Sequence, residues 1–322
     1  MSEQGVKLSI IIVSYGSVLS ALEAVAAVVR NTKVSKEVIV FDNASKDSQL
    51  LDSIEDVAMV LHSGSNLGLC KARNISVRSA TGEYVVFLDD DVIVQPGWEE
   101  PIIGMMSSYR RTAICQLELV TGPYNGTGST TAPAPQSSTI TFSPVWYAIG
   151  GGMIVRKETF DELGGFDEEM FVQDDDADLC WRAWLSGYDV VKSSGCVAYH
   201  HREAWERQSP PNLLRSYYAY RNHIYLRLKN YQPVNAILAT FMCAIDGLLF
   251  ALLVSPKSVV SLLASTKWLI GHPRLIMKAR VSSQRLRKRR DGFLKSFASV
   301  SDFYGFPTTV NMFRRLFGNG HK

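Results

Sequence analysis

Tyr84-Val-Val-Phe-Leu-Asp-Asp-Asp91 decides the fold, because an apolar run stops abruptly at three consecutive acids. A short run of β-branched and aromatic residues is typical of a strand buried on both faces of a parallel sheet. Three adjoining carboxylates repel one another without a counter-ion, so we expect a hard divalent cation, Mg²⁺ or Mn²⁺, beside them together with substrate phosphates. Taken alone, the triplet could equally be a turn or a helix N-cap.

Upstream of this strand, the chain alternates between strand and helix patterns. The predicted elements are strands at 8–14, 38–41 and 57–61 and helices at 18–30 and 68–80. This order predicts an α/β fold with a doubly wound, mostly parallel sheet. Ligands of such sheets bind beyond the carboxyl ends of strands, so Ser14, Asp42 and Asp89 should converge on one crevice. The first turn, Ser14-Tyr-Gly-Ser17, lacks G-x-G-x-x-G, which argues against a nicotinamide or flavin enzyme.

A second acidic cluster, Asp174-Asp-Asp-Ala-Asp178, opens a predicted helix that ends at Gly187. A helix N-terminus stabilises acids through its dipole and free N–H groups, but four acids exceed what one cap needs. Two separate clusters can supply a metal site and a proton acceptor to one reaction. His200 follows a predicted strand at 197–199, after another at 190–191, and is a candidate nitrogen ligand, although a lone histidine is more often structural.

The stretch between the two clusters contains further candidates. Residues 121–144 are rich in Gly, Ser, Thr and Pro, which predicts a long loop over the crevice. The Gly150–Gly152 run leaves room for a donor sugar or an acceptor, or serves packing. Trp146, Trp181 and Trp184 could stack on sugar rings, but core packing is favoured for tryptophans at helical spacing.

These patterns together resemble the inverting GT-A glycosyltransferases of family 2, over about residues 8–205. The resemblance rests on ordered motifs: Ser9-Ile-Ile-Ile-Val-Ser-Tyr15, Val40-Phe-Asp-Asn-Ala-Ser-Lys-Asp47, Asn66-Leu-Gly68 with Ala72-Arg-Asn74, Phe87-Leu-Asp-Asp-Asp91, Gly150-Gly-Gly-Met153 with Leu163-Gly-Gly-Phe-Asp167, and Asp175-Asp-Ala-Asp-Leu179. It implies a GT-A catalytic domain at 1–211.

The resemblance implies a role for each matching residue. Binding of the nucleotide base and ribose is assigned to Ser14, Tyr15 and Asp42, and Arg73 would lie near the donor phosphates. Asp89 and Asp91 match the D-x-D pair, with Asp91 the metal ligand, Asp89 nearer the ribose or metal, and Asp90 between them on the donor side. His200 matches a metal-binding histidine of the galactofuranosyltransferase branch, with His201 as its rival. The metal is Mn²⁺ or Mg²⁺.

Two acids of the second cluster match the catalytic motif of the family. Asp176 corresponds to the catalytic base, and Asp175 would help to bind the acceptor or the sugar. The family pattern usually begins with Glu, whereas this chain has Asp175 there and an additional Asp174 before it. The base assignment is therefore open by one residue.

Composition describes a globular protein with an uneven charge. The 322 residues are 46% hydrophobic and 20% charged, with a net charge of +3. Residues 247–322 alone carry 14 Lys and Arg against Asp291 and Asp302, so the remainder of the chain is acidic. The five scattered cysteines suggest a reducing compartment, and no signal segment opens the chain, so we expect it to stay inside the cell.

Residues 212–322 form a predicted helical, basic, membrane-associating region. Its helices are expected at 213–229, 234–254, 258–270 and 274–290. The stretch 234–254 approaches the length of a membrane span, but Asp246 near its centre favours an interfacial or buried helix. Residues 257–290 have ten Lys and Arg and no acid, which suits an anionic membrane surface better than a nucleic acid.

The favoured function is an inverting transfer of rhamnose or galactofuranose from dTDP-rhamnose or a UDP-sugar to a polyprenyl-diphosphate-linked glycan. The product would be a cell-surface polysaccharide such as an O-antigen or cell-wall glycan, made at the cytoplasmic face of the membrane by a peripheral or monotopic enzyme. A nucleotidyltransferase is the second enzymatic interpretation, although it lacks its Gly-rich phosphate loop. A non-catalytic scaffold that binds sugar nucleotides is the third.

Overall fold

A computed structural model describes residues 6–16, 18–121, 139–200, 213–253 and 256–296. Most of the predicted loop at 121–144 lies outside these residues, as does His201. The chain divides into two compact units, one comprising Met1–Ala183 with Tyr188–Gln208 and the other Trp184–Gly187 with Ser209–Lys322. The domain boundary predicted between 211 and 212 also falls outside the described residues and stays a prediction.

Within the described residues of the first unit, nine strands form one mixed sheet. The strands are β1 Leu8–Ser14, β2 Lys36–Asp42, β3 Met59–His62, β4 Tyr84–Asp89, β5 Val92–Val94, β6 Thr112–Thr121, β7 Thr141–Pro144, β8 Gly152–Arg156 and β9 Asp189–His200. Their order is β3-β2-β1-β4-β8-β6-β9-β5, with β7 also paired to β9. The predicted doubly wound α/β sheet is confirmed.

The sheet has a parallel half and a mixed half. Strands β3, β2, β1 and β4 are all parallel, as the strand-helix alternation predicts. Strand β8 runs antiparallel to both β4 and β6, whereas β6 and β9 are parallel. The parallel half brings the carboxyl ends of β1, β2 and β4 to one edge of the sheet.

The helices of the first unit cover the sheet with small and branched residues. They are α1 Val18–Asn31, α2 Leu69–Ser79, α3 Glu100–Ser108, α4 Lys157–Leu163 and α5 Asp175–Leu185, of which the last two residues belong to the second unit. Helix α1 buries Ala21, Ala24, Val25 and Val28, which lie on one face at helical spacing. Trp181 and Trp184 are buried, so core packing is the correct interpretation for these two tryptophans.

Strand β9 is one element where the sequence predicts two short strands. Its pairing with β6 shifts between Gln116↔Lys192 and Glu118↔Val197, so a bulge interrupts the ladder. Gly195 has a φ of +100° within this bulge. The bulge breaks the apolar alternation, which explains why a periodicity argument separates 190–191 from 197–199.

The second unit is helical. Its helices are α6 Leu213–Asn230, α7 Pro233–Leu253, α8 Val259–Gly271 and α9 Pro273–Arg285. They match the predicted positions, except that the basic helix ends at Arg285 and not at 290. Beyond this end, Arg287 pairs with Asp291 at 2.8 Å and donates to the carbonyl oxygen of Arg289.

Candidate active site

The carboxyl ends of β1 and β2 place two predicted donor-binding residues side by side. Ser14 and Asp42 are register partners, and both are buried. Asp42 Oδ1 accepts a hydrogen bond from the Ser45 backbone N–H at 2.8 Å, so its carboxylate is held in the turn after β2. Tyr15 follows β1 and is 61% exposed, open to a ring that would stack on it.

His62 lies beside this pair and was not predicted. Its Nδ1 is 3.2 Å from Asp42 Oδ2, and its side chain is about half exposed. His62 ends β3 and is the register partner of Asp42. The rule that identified Ser14, Asp42 and Asp89, applied to the weak strand at 57–61, would also have identified His62.

A candidate metal site lies where β4, β5 and β9 meet. Asp89, Asp91 and His200 each offer a ligand atom, and these atoms lie within 4.8 Å of one another. His200 Nε2 is 3.1 Å from Asp91 Oδ1 and 3.9 Å from Asp89 Oδ2. Pairing of Val92 with His200 positions the imidazole next to Asp91. Two carboxylate oxygens and one imidazole nitrogen fit Mn²⁺, and Mg²⁺ is compatible through the oxygens.

Asp90 shows how strongly this cluster resists accumulating negative charge. Burial, followed by the neighbouring carboxylates of Asp89 and Asp91, raises the pKa of Asp90 to about 7. A divalent cation removes the like-charge repulsion. The chemistry of the cluster therefore agrees with the expected counter-ion.

Arg73 of α2 joins the two acidic clusters. Its Nη2 donates to Asp89 Oδ1 at 3.0 Å, and its Nη1 donates to Asp175 Oδ2 at 3.3 Å. Nη2 also donates to the carbonyl oxygen of Gly150 at 2.9 Å. The side chain is only 2% exposed, so it lies among protein carboxylates and not on the open face of the crevice. Its predicted contact with donor phosphates stays a prediction.

The first turn of α5 carries the predicted base. The Gly150 backbone N–H donates to Asp176 Oδ2 at 3.0 Å. Burial and then the adjacent Asp175 carboxylate raise the pKa of Asp176 to about 7. Burial also raises the pKa of Asp175, opposed by Arg73. A carboxyl group with a pKa near neutrality suits general base catalysis.

The last acid of the cluster has a different environment. Asp178 is completely buried, and its Oδ2 accepts from Arg182 Nε at 2.8 Å. Arg182 also donates to the carbonyl oxygen of Leu163 at 2.7 Å. This pair links α5 to the end of α4, so Asp178 supports the structure.

The glycine run fits tightly among these charged groups. A Cβ added to Gly151 would lie 2.3 Å from Asp89 Oδ2, and one added to Gly150 would lie 2.8 Å from Arg73 Nη1. A Cβ at Gly152 would meet Leu119 at 2.6 Å. The sequence left sugar binding and packing open for this run. In the structure, the glycines let Arg73, Asp89 and Asp176 approach the backbone.

All of these residues belong to the first unit, and they form one connected arrangement. Arg73 donates hydrogen bonds to both Asp89 and Asp175. Gly150 accepts from Arg73 through its carbonyl oxygen and donates to Asp176 through its backbone N–H. Two acidic clusters that are far apart in sequence therefore lie together. The arrangement can hold a cation and a nucleotide diphosphate next to a carboxylate that accepts a proton.

A family model described as Glycosyl transferase family 2 matches residues 9–164. A curated relative, the pre-mycofactocin glycosyltransferase of Mycobacterium tuberculosis, is 29% identical over an alignment of 157 residues, and the match covers 44% of this chain and 32% of that protein. This chain therefore spans about a third of the relative's length.

Two solved structures show the same fold. GalNAc-T7 with UDP, GalNAc and Mn²⁺ has a TM-score of 0.64 at 14% identity, covering 95% of this chain and 59% of that chain. S. aureus TarS 1–349 in complex with UDP-GlcNAc has a TM-score of 0.61 at 16% identity, covering 87% and 89%. The GT-A fold expected from the sequence is confirmed by these neighbours.

Proposed function

Residues 9–164 carry a glycosyltransferase family 2 domain, and from that premise we propose that this chain is an inverting, metal-dependent glycosyltransferase acting on a lipid-linked glycan. The observation that supports this most strongly is the Arg73 bridge, because it brings Asp89 of the metal site and Asp175 of the base segment to one guanidinium group. A glycosyltransferase of this kind needs a base for the acceptor hydroxyl and a positive charge for the leaving diphosphate in the same crevice.

In the proposed reaction, an acceptor hydroxyl attacks the anomeric carbon of the donor sugar from the face opposite the diphosphate. Asp176 accepts the hydroxyl proton as the new C–O bond forms. The bond from the anomeric carbon to the diphosphate oxygen breaks, and its electron pair leaves with the nucleotide diphosphate. When bound at Asp89, Asp91 and His200, a divalent cation supplies positive charge beside that diphosphate.

The chain's own residues prepare this step. Gly150 orients the Asp176 carboxylate through its backbone N–H. Arg73 holds Asp175 and one oxygen of Asp89, so the second Asp89 oxygen faces His200. Asp42 with His62 and the open ring of Tyr15 provide polar and stacking groups for a nucleotide base and ribose.

For the substrates, we propose rhamnose or galactofuranose from dTDP-rhamnose or a UDP-sugar, and a polyprenyl-diphosphate-linked acceptor. The match of His200 to the galactofuranosyltransferase branch supports the donor, and the apolar, basic helices of the second unit support an acceptor in a membrane. The proposed location is the cytoplasmic face of the cell membrane. The structural neighbours bind other sugars, so the choice of sugar rests on the experiment below.

The base assignment is tested with Asp176→Asn and its matched control Asp174→Asn. Asn at 174 keeps the side-chain size and tolerates the φ of +60° found there. With the full-length protein and the active donor, we expect Asp176→Asn to lower kcat about a thousandfold while donor binding persists. Asp174→Asn should keep nearly wild-type kcat. The reverse result would move the base to Asp174, two residues earlier, and full turnover in both variants would reject this mechanism.

The donor is found by a thermal-shift and hydrolysis screen of nucleotide sugars with Mn²⁺ and Mg²⁺. One stabilising donor that is hydrolysed, with release of a nucleoside diphosphate, supports the proposal. Binding without turnover of any donor would favour a scaffold protein. Release of a sugar 1-phosphate would instead indicate nucleotidyl transfer, because attack on the α-phosphate of a nucleotide sugar expels that group.

A further inference from the structure

Helix α7 presents a completely apolar outer face. Every exposed side chain among its described residues 233–252 is apolar: Pro233, Val234, Ile237, Leu238, Phe241, Ala244, Ile245, Leu248 and Leu252. Ile237 is 69% exposed and Phe241 is 65% exposed. A surface helix of a water-soluble domain normally turns its polar residues outward. The exposed face of α7 has the opposite character.

The inner face of α7 carries the small and polar residues. Its buried positions are Ala236, Ala239, Cys243, Asp246, Gly247 and Ala251. A Cβ added to Gly247 would lie 3.2 Å from the Tyr220 ring and 3.3 Å from Leu262, so α7 approaches α6 and α8 closely there. Asp246, whose position counted against a membrane helix in the sequence, faces the protein. The helix therefore has its small and polar residues inside and its large apolar residues outside. This is the reverse of a soluble surface helix, and it resembles membrane-embedded helices.

Helix α8 repeats this arrangement. Val260, Leu263 and Ile270 are exposed, whereas Ser261 and Ser265 are buried. Each buried serine donates to a carbonyl oxygen of α6, Ser261 to Leu213 at 2.7 Å and Ser265 to Tyr217 at 2.8 Å. Both helices thus bury polar side chains against α6 or each other and expose large apolar ones, although α8 also exposes Thr266 and Lys267. Apolar exposure on this scale is rare in soluble monomers.

Helix α6 argues against a membrane-spanning orientation. Its Tyr220 lies against Gly247 of α7, and its Arg221, Arg227 and Lys229 are buried within the unit. If α7 crossed the bilayer, these cations would lie at hydrocarbon depth, where charged side chains are strongly disfavoured. An orientation parallel to the membrane plane keeps α6 on the aqueous side of α7.

Exposed cationic residues lie near α7 and α8 in the sequence. Lys257 precedes α8, Lys267 is on α8, and Arg274, Lys278 and Arg285 are on α9. All five are exposed. Cations at this position can contact lipid phosphates while the apolar side chains enter the hydrocarbon.

We propose that the outer faces of α7 and α8 lie in the plane of a lipid bilayer, inserted into its hydrocarbon boundary, with the cations of α8 and α9 at the headgroups. The inference extends the proposed membrane location from electrostatic adsorption to insertion by one defined surface. It rests on the helices of the second unit and not on the chemistry of the active site.

The test is flotation of the full-length protein with vesicles of neutral phosphatidylcholine alone and of phosphatidylcholine with anionic phosphatidylglycerol. We expect the protein to float with both, more strongly with the anionic vesicles, and to stay bound in high salt. Phe241→Asp should weaken partitioning to the neutral vesicles about tenfold or more, because it places a charge in the inserted face. Tyr109→Asp is the matched control, since Tyr109 is an equally exposed aromatic residue of the first unit.

Two other results would overturn the proposal. Binding only to anionic vesicles, with release by salt, would indicate adsorption through the cations alone. A lipid-free dimer that Phe241→Asp dissociates, without vesicle binding by the wild type, would show that a second copy covers the surface. Far-UV circular dichroism and donor binding of both variants confirm that they are folded. None of these assays measures turnover, so the outcome is independent of the proposed reaction.

Orientation is tested with tryptophan at Val234, Phe241 and Leu252, at the ends and middle of the outer face. Quenching by lipids brominated along their acyl chains reports depth, measured against the wild-type signal. An in-plane helix gives similar, shallow depths at all three positions. A deep middle with shallow ends would show a spanning helix and reject this orientation.

Discussion

One guanidinium group, that of Arg73, lies between carboxylates whose residues are 16 and 102 positions away in sequence. The Arg73–Asp175 ion pair is buried, and Asp89 is partly exposed at the candidate metal site. Removing one member of a buried ion pair leaves its partner uncompensated. At this scale the site is an electrostatic unit, and glycine backbone groups complete it.

Gly151 provides the sharpest steric test of this unit. Gly151→Ala adds a methyl group 2.3 Å from Asp89 Oδ2, so the carboxylate must leave its position in the candidate metal site. We expect the affinity for Mn²⁺ to fall about tenfold or more. Gly104→Ala is the control, because a Cβ there has open space and replaces glycine within a helix. Titration calorimetry with Mn²⁺ and the donor measures both, and unchanged affinity in Gly151→Ala would place the metal elsewhere.

The raised pKa of Asp176 predicts a pH profile. The carboxyl group must lose its proton to act as a base, so kcat/KM should fall as the pH drops through about 7. Asp175→Asn removes the neighbouring negative charge and lowers the pKa of Asp176, which moves the acidic limb to lower pH. If the acidic limb of the kcat/KM profile does not move in this variant, Asp176 is not the group whose ionisation controls the rate. The free energy of unfolding depends on pH in the opposite direction. Because folding raises the pKa of Asp176 from 3.8 to about 7, the contribution of this group to stability is full below the lower value and is lost as the pH rises to about 7.

The sequence predicted which residues at strand ends lie together, but it gave less information about the contacts of residues inside helices. Ser14, Asp42 and Asp89 converge because parallel strands end at one edge. Arg73 has no such signal, since its partners come from distant segments and helix periodicity says nothing about them. The sequence alone could also not separate Asp178, which binds Arg182, from Asp176 in the same cluster.

The segment before α5, the helix that carries the proposed base Asp176, has an unusual backbone conformation. Phe171, Gln173 and Asp174 have φ values of 63°, 71° and 60°, a left-handed conformation that non-glycine residues rarely adopt. Such conformations persist only where the surrounding contacts enforce them. One of these contacts is the Phe171 ring against Gly68, which precedes α2. Helices α2 and α5, which carry Arg73 and Asp176, are thereby tied together at their first turns.

Gly68→Ala tests this link between elements. Its Cβ would lie 2.5 Å from the Phe171 ring, at a φ of +85°, and we expect a loss of about 2 kcal/mol in the free energy of unfolding. Combined with Phe171→Ala, the steric part should be relieved, leaving only the backbone strain. Urea unfolding of both single variants and the double variant measures the coupling. Additive effects would show that Gly68 and Phe171 act independently.

At the scale of elements, order and type were predictable, and irregularities were not. Apolar runs identified β1, β2 and β4, because a parallel sheet buries both faces of a strand. The antiparallel direction of β8 depends on tertiary pairing that no local pattern encodes. The bulge in β9 similarly divided one strand into two predicted strands.

At the scale of the whole molecule, composition identified an acidic body and a basic tail. The fold adds which side chains of the tail are exposed. Helix α7 is long and apolar enough to cross a membrane, and about a third of it is buried. The hydropathy of 234–254 was visible in the sequence, whereas the direction of Asp246 required the packing of α6, α7 and α8.

Ligand-linked stability provides the test at this scale. A ligand that binds only the folded protein, at about 100 times its Kd, adds about 2.7 kcal/mol. We therefore expect Mn²⁺ with the correct donor to raise the Tm clearly, and more than Mg²⁺ does, because His200 offers a nitrogen ligand. Chelation should reverse the rise. Asp91→Asn should abolish the metal-dependent part, and an unchanged rise in that variant would remove Asp91 from the metal ligands.

The shared guanidinium of Arg73 has a thermodynamic corollary. Asp89 and Asp175 both form ion pairs with the Arg73 guanidinium group. Any event that breaks the Arg73–Asp89 pair therefore changes the proton affinity of Asp175. Linkage is reciprocal, which means that protonation at Asp175 must alter the free energy of binding at Asp89 by the same amount. Binding at Asp89 and protonation of Asp175 are therefore coupled through Arg73, and this coupling needs no domain movement.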